Sequence, residues 1–148
     1  MKTPSPYRSY VASASRLLDF ANQFIVRELN ALGIYDIHPA HGDILVQLYT
    51  EDGLTVTELA QKTQRSKSTV SVLVDRLCEN GYLVKWRLPN DQRTITVRLT
   101  DKAGELKPLF DRVSQTLNDR LTEALTDDEA DTLEALLERI THSLEARK

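Results

Sequence analysis

From Tyr7 to Leu32 the apolar side chains Val11, Leu17, Leu18, Ala21, Phe24, Ile25, Leu29 and Leu32 recur at spacings near three and four, with no Pro or Gly between them. That period predicts a long amphipathic helix. Gly33 supplies a stop, and His38-Pro39 restarts a helix through Tyr49, because the fixed φ of proline suits the first helical position. Glu51-Asp52-Gly53 interrupts the pattern. Thr55-Val56-Thr57-Glu58 then fits a capping box, in which the Thr hydroxyl and Glu carboxylate satisfy each other's free backbone N–H groups, and a short helix follows to about Lys62. Ser66 is the next cap. From it Val70, Leu73, Val74 and Leu77 share one helix face that ends at Asn80-Gly81, so two short helices flank the turn Thr63-Gln64-Arg65.

After Gly81 the period switches from helical to alternating. Tyr82 to Arg87 reads as one strand and Thr94 to Leu99 as another, with Ile95, Val97 and Leu99 alternating against polar neighbours and Pro89-Asn90-Asp91 as the turn between them. Thr100-Asp101 opens a helix to about Leu125, in which Pro108 removes one hydrogen bond and is expected to bend the axis. Thr126-Asp127-Asp128-Glu129 is a second capping box, leading a helix with Ala130, Leu133, Leu136, Leu137, Ile140 and Leu144 on one face. Two helices across a tight turn, followed at once by a two-stranded hairpin, describe a winged helix-turn-helix: a mainly α fold with a small β-hairpin wing.

Charge changes the picture once it is divided along the chain. The net value of −3 resolves into −2 for residues 1–54, +4 for 55–99 and −5 for 100–148, so the basic part coincides with the helix-turn-helix and wing. A cationic lobe, rather than the whole-chain balance, is what duplex DNA requires. At 148 residues, 41% apolar and 28% charged, the chain has the size and composition of one globular domain. No apolar run approaches a membrane span and the first residues lack a signal-peptide layout, so a cytoplasmic, nucleoid-associated protein without membrane partners is expected. Cys78 is the single cysteine, which excludes an intrachain disulfide and a cysteine-rich zinc site.

Taken in order, Leu54-Thr55-Val56-Thr57-Glu58-Leu59-Ala60, Ser66-Lys67-Ser68-Thr69-Val70-Ser71 through Asp75-Arg76-Leu77, Gly81-Tyr82-Leu83-Val84, Pro89-Asn90-Asp91-Gln92-Arg93 and Val97-Arg98-Leu99-Thr100 resemble the multiple-antibiotic-resistance regulator (MarR) family over essentially the whole chain. Three positions depart from the family pattern: Gln92 where a second basic residue is frequent at the wing tip, Val72 where a polar residue is frequent on the recognition helix, and Gln64 where many helix-turn-helix motifs place glycine. The resemblance implies one MarR-like domain over 1–148, with a DNA-binding lobe at 38–100 and terminal helices at 1–34 and 101–148 that interleave with a second subunit. It also implies a homodimeric regulator, most often a repressor, on a pseudo-palindromic operator, with a small aromatic effector as a further partner.

With Val70, Leu73, Val74 and Leu77 inward, the 100° step per residue turns Ser68, Ser71, Val72 and Asp75 outward. In a winged helix that face enters the major groove, where Ser68, Thr69 and Ser71 can bond phosphates or base edges and Val72 can touch a thymine methyl. Arg65, Lys67, Arg76 and Arg87 suit phosphate anchoring, and Arg93 at the wing tip suits a narrow minor groove. Asp91 is expected to structure the wing turn. Without the motif, each of these residues would read as ordinary solvated surface. Trp86 is expected to pack against the hairpin. Tyr7, Tyr10, Phe24, Tyr35 and Tyr49 are placed to meet an aromatic effector, although aromatics at helical spacing are more often core. His38 and His41 share a helix start but lack further metal ligands, so a structural role outweighs a metal site and no cofactor is expected. Two alternatives remain: a redox-responsive regulator acting through Cys78, and a winged-helix scaffold that binds protein rather than DNA. No phosphate loop, nucleophile elbow or zinc-protease motif is present, which argues against an enzyme.

Overall fold

Side-chain caps at Thr55, Ser66 and Thr126 set three of the helix starts. The computed structural model describes residues 8–147, with α1 at Tyr10–Ala31, α2 at Pro39–Thr50, β1 at Leu54–Thr55, α3 at Val56–Thr63 and α4 at Lys67–Glu79. β2 at Leu83–Leu88, β3 at Asp91–Leu99, α5 at Asp101–Thr122 and α6 at Asp127–Glu145 complete it. The Ser66 hydroxyl accepts the Thr69 N–H at 3.2 Å and so starts α4. At α6 the box is reciprocal: Thr126 Oγ1 accepts the Glu129 N–H at 3.2 Å, and Glu129 accepts the Thr126 N–H at 3.0 Å. The box expected at α3 is only half made. Thr55 Oγ1 accepts the Glu58 N–H at 3.1 Å, but the Glu58 carboxylate turns to the Thr55 hydroxyl, because the Thr55 backbone belongs to β1.

That two-residue strand corrects the expected two-stranded hairpin. β1 pairs antiparallel with β3, Leu54 opposite Val97 and Thr55 opposite Thr96, giving a three-stranded sheet in the order β1-β3-β2. β2 pairs with β3 from Leu83 opposite Leu99 to Arg87 opposite Ile95, and the register shifts between Arg87 and Leu88. The helix-turn-helix corner also departs from the glycine habit: Gln64 ends α3 at φ 56°, in the left-handed region. α5 continues through Pro108.

The chain divides into two compact units, Met1–Val113 and Ser114–Lys148. In the first, Leu29, Ile44, Leu45, Leu48, Leu54, Leu59, Val70, Val74, Leu77 and Val97 are shielded from solvent. Three of the four residues expected to turn α4 inward are therefore core, while Leu73 is half-buried. The second unit holds α6, none of whose side chains is buried.

A polar brace fixes where the wing leaves the core. Gly81 turns the chain at φ 82°, and the Thr100 hydroxyl donates to the Gly81 and Tyr82 carbonyls at 2.6 and 3.1 Å. The Tyr82 hydroxyl donates to Asp36 Oδ1 at 2.8 Å, and burial, reinforced by this bond, pushes the phenol well above its usual range. Lys102 Nζ donates to the Asn80 carbonyl at 2.6 Å. The start of the wing is thus tied to the loop before α2 and to the first turn of α5.

Candidate nucleic-acid interface

The recognition helix α4 keeps Val70, Val74 and Leu77 fully inward, and this forces the intervening positions out. Lys67, Ser68, Thr69, Val72, Asp75 and Arg76 are exposed and Ser71 is half-buried. Val72 retains 69% exposure on this outward face. At the first turn the Ser66 hydroxyl donates to Thr69 Oγ1 at 2.8 Å and lies 3.1 Å from Ser68 Oγ, so three hydroxyls cluster beside the N-terminal amides.

Ser71 faces a groove of about 490 Å³, bounded by Thr55, Val56 and Thr57 at the start of α3 and by Lys85, Arg93, Thr94 and Ile95 of the wing. The groove brings together the recognition helix, the amide end of α3 and two wing cations. Arg93 is exposed. Its backbone N–H donates to Asp91 Oδ1 at 3.0 Å, and the Thr94 hydroxyl donates to Asp91 Oδ2 at 2.6 Å. These bonds hold the Asp91 carboxyl below its usual range, so it remains an ionised acceptor inside the turn. The Gln92 side chain lies outside the described residues, as does Tyr7.

The expected anchors are less free than the sequence suggests. Arg65 is held by Asp43 of α2 at 2.7 Å, and Arg76 pairs with Glu79 at 3.4 Å and lies near enough to His41 to disfavour its charged form. Arg87 lies exposed on β2. Arg98 lies over the Trp86 ring, 5.0 Å from its centroid, and Trp86 itself is 46% exposed, a stacked wing residue and not a core one. Sequence reasoning missed the Asp75 to Lys85 ion pair at 2.6 Å and the Thr55 to Thr57 wall of the groove. Ten residues and a change of element separate Asp75 from Lys85, so no local spacing rule signals the pair.

The other candidates separate cleanly. The His38 backbone N–H donates to His41 Nδ1 at 3.1 Å, and among the described residues no cluster of metal-ligating side chains forms there. Burial pushes the Cys78 thiol up, which lowers its thiolate fraction and with it the reactivity a redox sensor needs. A second groove, of about 690 Å³, lies between α1 and the start of α2, lined by Asn22, Gln23, Val26, Arg27, Asn30, His38, Pro39 and Ala40. Of the aromatics proposed for an effector, none of the four among the described residues lines it. Phe24 is buried and Tyr35 exposed, Tyr10 bonds Arg8, and the Tyr49 hydroxyl donates to the Ala103 carbonyl at 2.6 Å with its pKa pushed by burial to about 12. No described helix is long and apolar enough to cross a membrane.

Comparison with known proteins agrees with this geometry. The family model described as the MarR family matches residues 35–94. The multiple antibiotic resistance protein MarR of Salmonella typhimurium is 32% identical over 142 residues, covering 95% of this chain and 99% of the relative, and that of Escherichia coli K12 is 30% identical over the same span. Among solved structures, the Staphylococcus aureus MepR–DNA complex superposes with a TM-score of 0.81 at 25% identity, covering 92% of this chain and 98% of that one. The PcaV regulator of Streptomyces coelicolor, solved with its natural ligand, gives 0.81 at 22% identity over 97% and 99% of the two chains. Members of this family are transcriptional regulators and not enzymes. The chain belongs to the MarR family of winged-helix, DNA-binding transcriptional regulators.

Proposed function

We propose that the chain is a cytoplasmic homodimeric repressor that binds a pseudo-palindromic operator and releases it when a small aromatic effector binds. The observation that carries the DNA contact is the groove in which Ser71 of the recognition helix faces Lys85 and Arg93 of the wing. Helix and wing thus offer complementary chemistry on one surface. In this reading Ser68, Thr69, Ser71 and Val72 meet base edges or nearby phosphates. Arg65, Lys67, Arg76 and Arg87 meet phosphates, Arg93 enters the minor groove, and Asp91 shapes the turn that presents it. Arg65 and Arg76 exchange or share their carboxylate partners to do so, which reduces what each adds to affinity.

Residues 38–100 form the DNA-binding lobe, and residues 1–34 and 101–148 the dimer arms. Support for the dimer comes from apolar side chains left well exposed: Tyr10, Val11, Leu17, Leu18 and Phe20 of α1 are 44–84% exposed, and Leu133, Leu136, Leu137, Ile140 and Leu144 of α6 are 39–61% exposed. The groove between α1 and α2, with Arg27 and His38 at its wall, suits an anionic aromatic effector. PcaV, solved with its natural ligand, supports an effector-controlled reading.

Fluorescence anisotropy with duplexes from the gene's own upstream region, repeated across salt, tests the proposal. Steep salt dependence is expected, with Arg93→Ala weakening all duplexes and flattening the slope by about one counterion. Ser71→Ala is expected to change sequence preference instead. Salt-insensitive or absent binding by a folded dimer would favour the protein-scaffold alternative.

A further inference from the structure

β2 is one of the two outer strands of the sheet, with β3 on one side of it. Its base is fixed by the Thr100 and Tyr82 hydrogen bonds, but past Leu83 the strand carries exposed residues all the way to the tip. One ion pair there reaches across to the recognition helix: Lys85 Nζ lies 2.6 Å from Asp75 Oδ1, with the two side chains 47% and 55% exposed. Asp75 sits on the same outward face as Ser68 and Val72. A carboxylate there repels phosphates and costs affinity, and its partner is a cation that would otherwise be available to DNA. Neither residue serves simple electrostatic attraction. The distance is that of a strong charge-assisted hydrogen bond, directional as well as attractive.

Resting on the DNA-binding surface proposed above, we propose that Asp75 and Lys85 form a strut that sets the separation between recognition helix and wing. The pair thereby fixes the spacing between the bases read by α4 and the flank reached by Arg93. Both are positioning residues. Exposed pairs contribute little to folding, so the strut acts on alignment and leaves stability nearly unchanged.

The full-length chain is tested against two duplexes of equal length, one selected by the wild type from a random pool and one of random sequence. If the two charges act independently, Asp75→Asn tightens binding to both duplexes and Lys85→Met loosens it to both, leaving the specific-to-random ratio unchanged. The strut requires that each single substitution lower that ratio by about two- to fivefold, the range an exposed pair can couple. The double variant falls no lower than either single one, and Lys85→Arg, which keeps a partner for Asp75, holds the wild-type ratio. Renewed selection with Asp75→Asn returns a wider spread of spacing between the half-site and its A·T-rich flank. Thermal midpoints equal to wild type show that folding is intact, and if Asp75→Asn does not fold, Lys85→Met reads the same ratio. An unchanged ratio in the single variants, or losses that multiply in the double, overturns the strut while leaving DNA binding in place. A wild type that selects no duplex overturns the DNA-binding surface and the strut with it.

Discussion

His41 shows how one side chain couples charge to the position of a helix. It is 6% exposed, and its Nδ1 accepts the His38 N–H that starts α2. Burial first, then the charges of His38 and Arg76, lower its pKa below 6.5, with Asp36 opposing them. The folded chain therefore prefers the neutral ring, and protonation at Nδ1 would remove the acceptor. Stability contributed by the neutral ring is fully present above pH 6.5 and is lost as pH falls from there toward the depressed folded value. Urea midpoints measured at pH 7.5 and pH 5.5 are expected to fall more for the wild type than for His41→Gln, and an equal fall in both would assign the effect elsewhere. The sequence placed this histidine at a helix start, but neither its burial nor the proximity of Arg76, 35 positions away, follows from local pattern.

Among the elements, the turn joining α3 to α4 is the sharpest constraint. Gln64 holds φ 56° there, and its N–H donates to the Gln61 carbonyl at 3.3 Å while the Arg65 N–H donates to Ala60 at 3.0 Å. A side chain in the left-handed region costs roughly 1–2 kcal/mol, partly offset in a glycine variant by the greater freedom of its unfolded chain. Gln64→Gly is accordingly expected to stabilise by up to about 1 kcal/mol and raise Tm by a few degrees, checked by thermal unfolding. A lowered Tm would show that the Gln64 side chain supplies contacts worth more than the strain. The caps at Ser66 and Thr126 were legible from residue types alone, whereas the left-handed Gln64 was not. Nor was β1, since a strand of two residues has no period and is held by its pairing to Val97 and Thr96, more than forty positions away.

At the scale of the whole molecule the apolar face of α6 carries the argument. Leu133, Leu136, Leu137, Ile140 and Leu144 lie on one helical stripe yet stay 39–61% exposed. Completing the burial of such a side chain contributes about 1 kcal/mol apiece, since full burial is worth roughly 1.5–3 kcal/mol. In the proposed dimer, a second subunit supplies that cover. Ile140→Asp is expected to shift sedimentation at micromolar concentration from dimer to monomer and to weaken operator binding at least tenfold, roughly the effect of one buried charge. A variant that remains dimeric would remove α6 from the interface.

What the sequence determined by itself was local and periodic: the helices and their caps, the hairpin, the basic lobe and the outward face of α4, because spacing, capping chemistry and charge are properties of neighbouring residues. Tertiary structure decided everything that depends on distant pairs. It placed Thr55 in a third strand, put Arg65 in the hands of Asp43, joined Asp75 to Lys85 and opened the groove beside Ser71. Each requires two segments to meet at a fixed angle, and that angle comes from how the core packs.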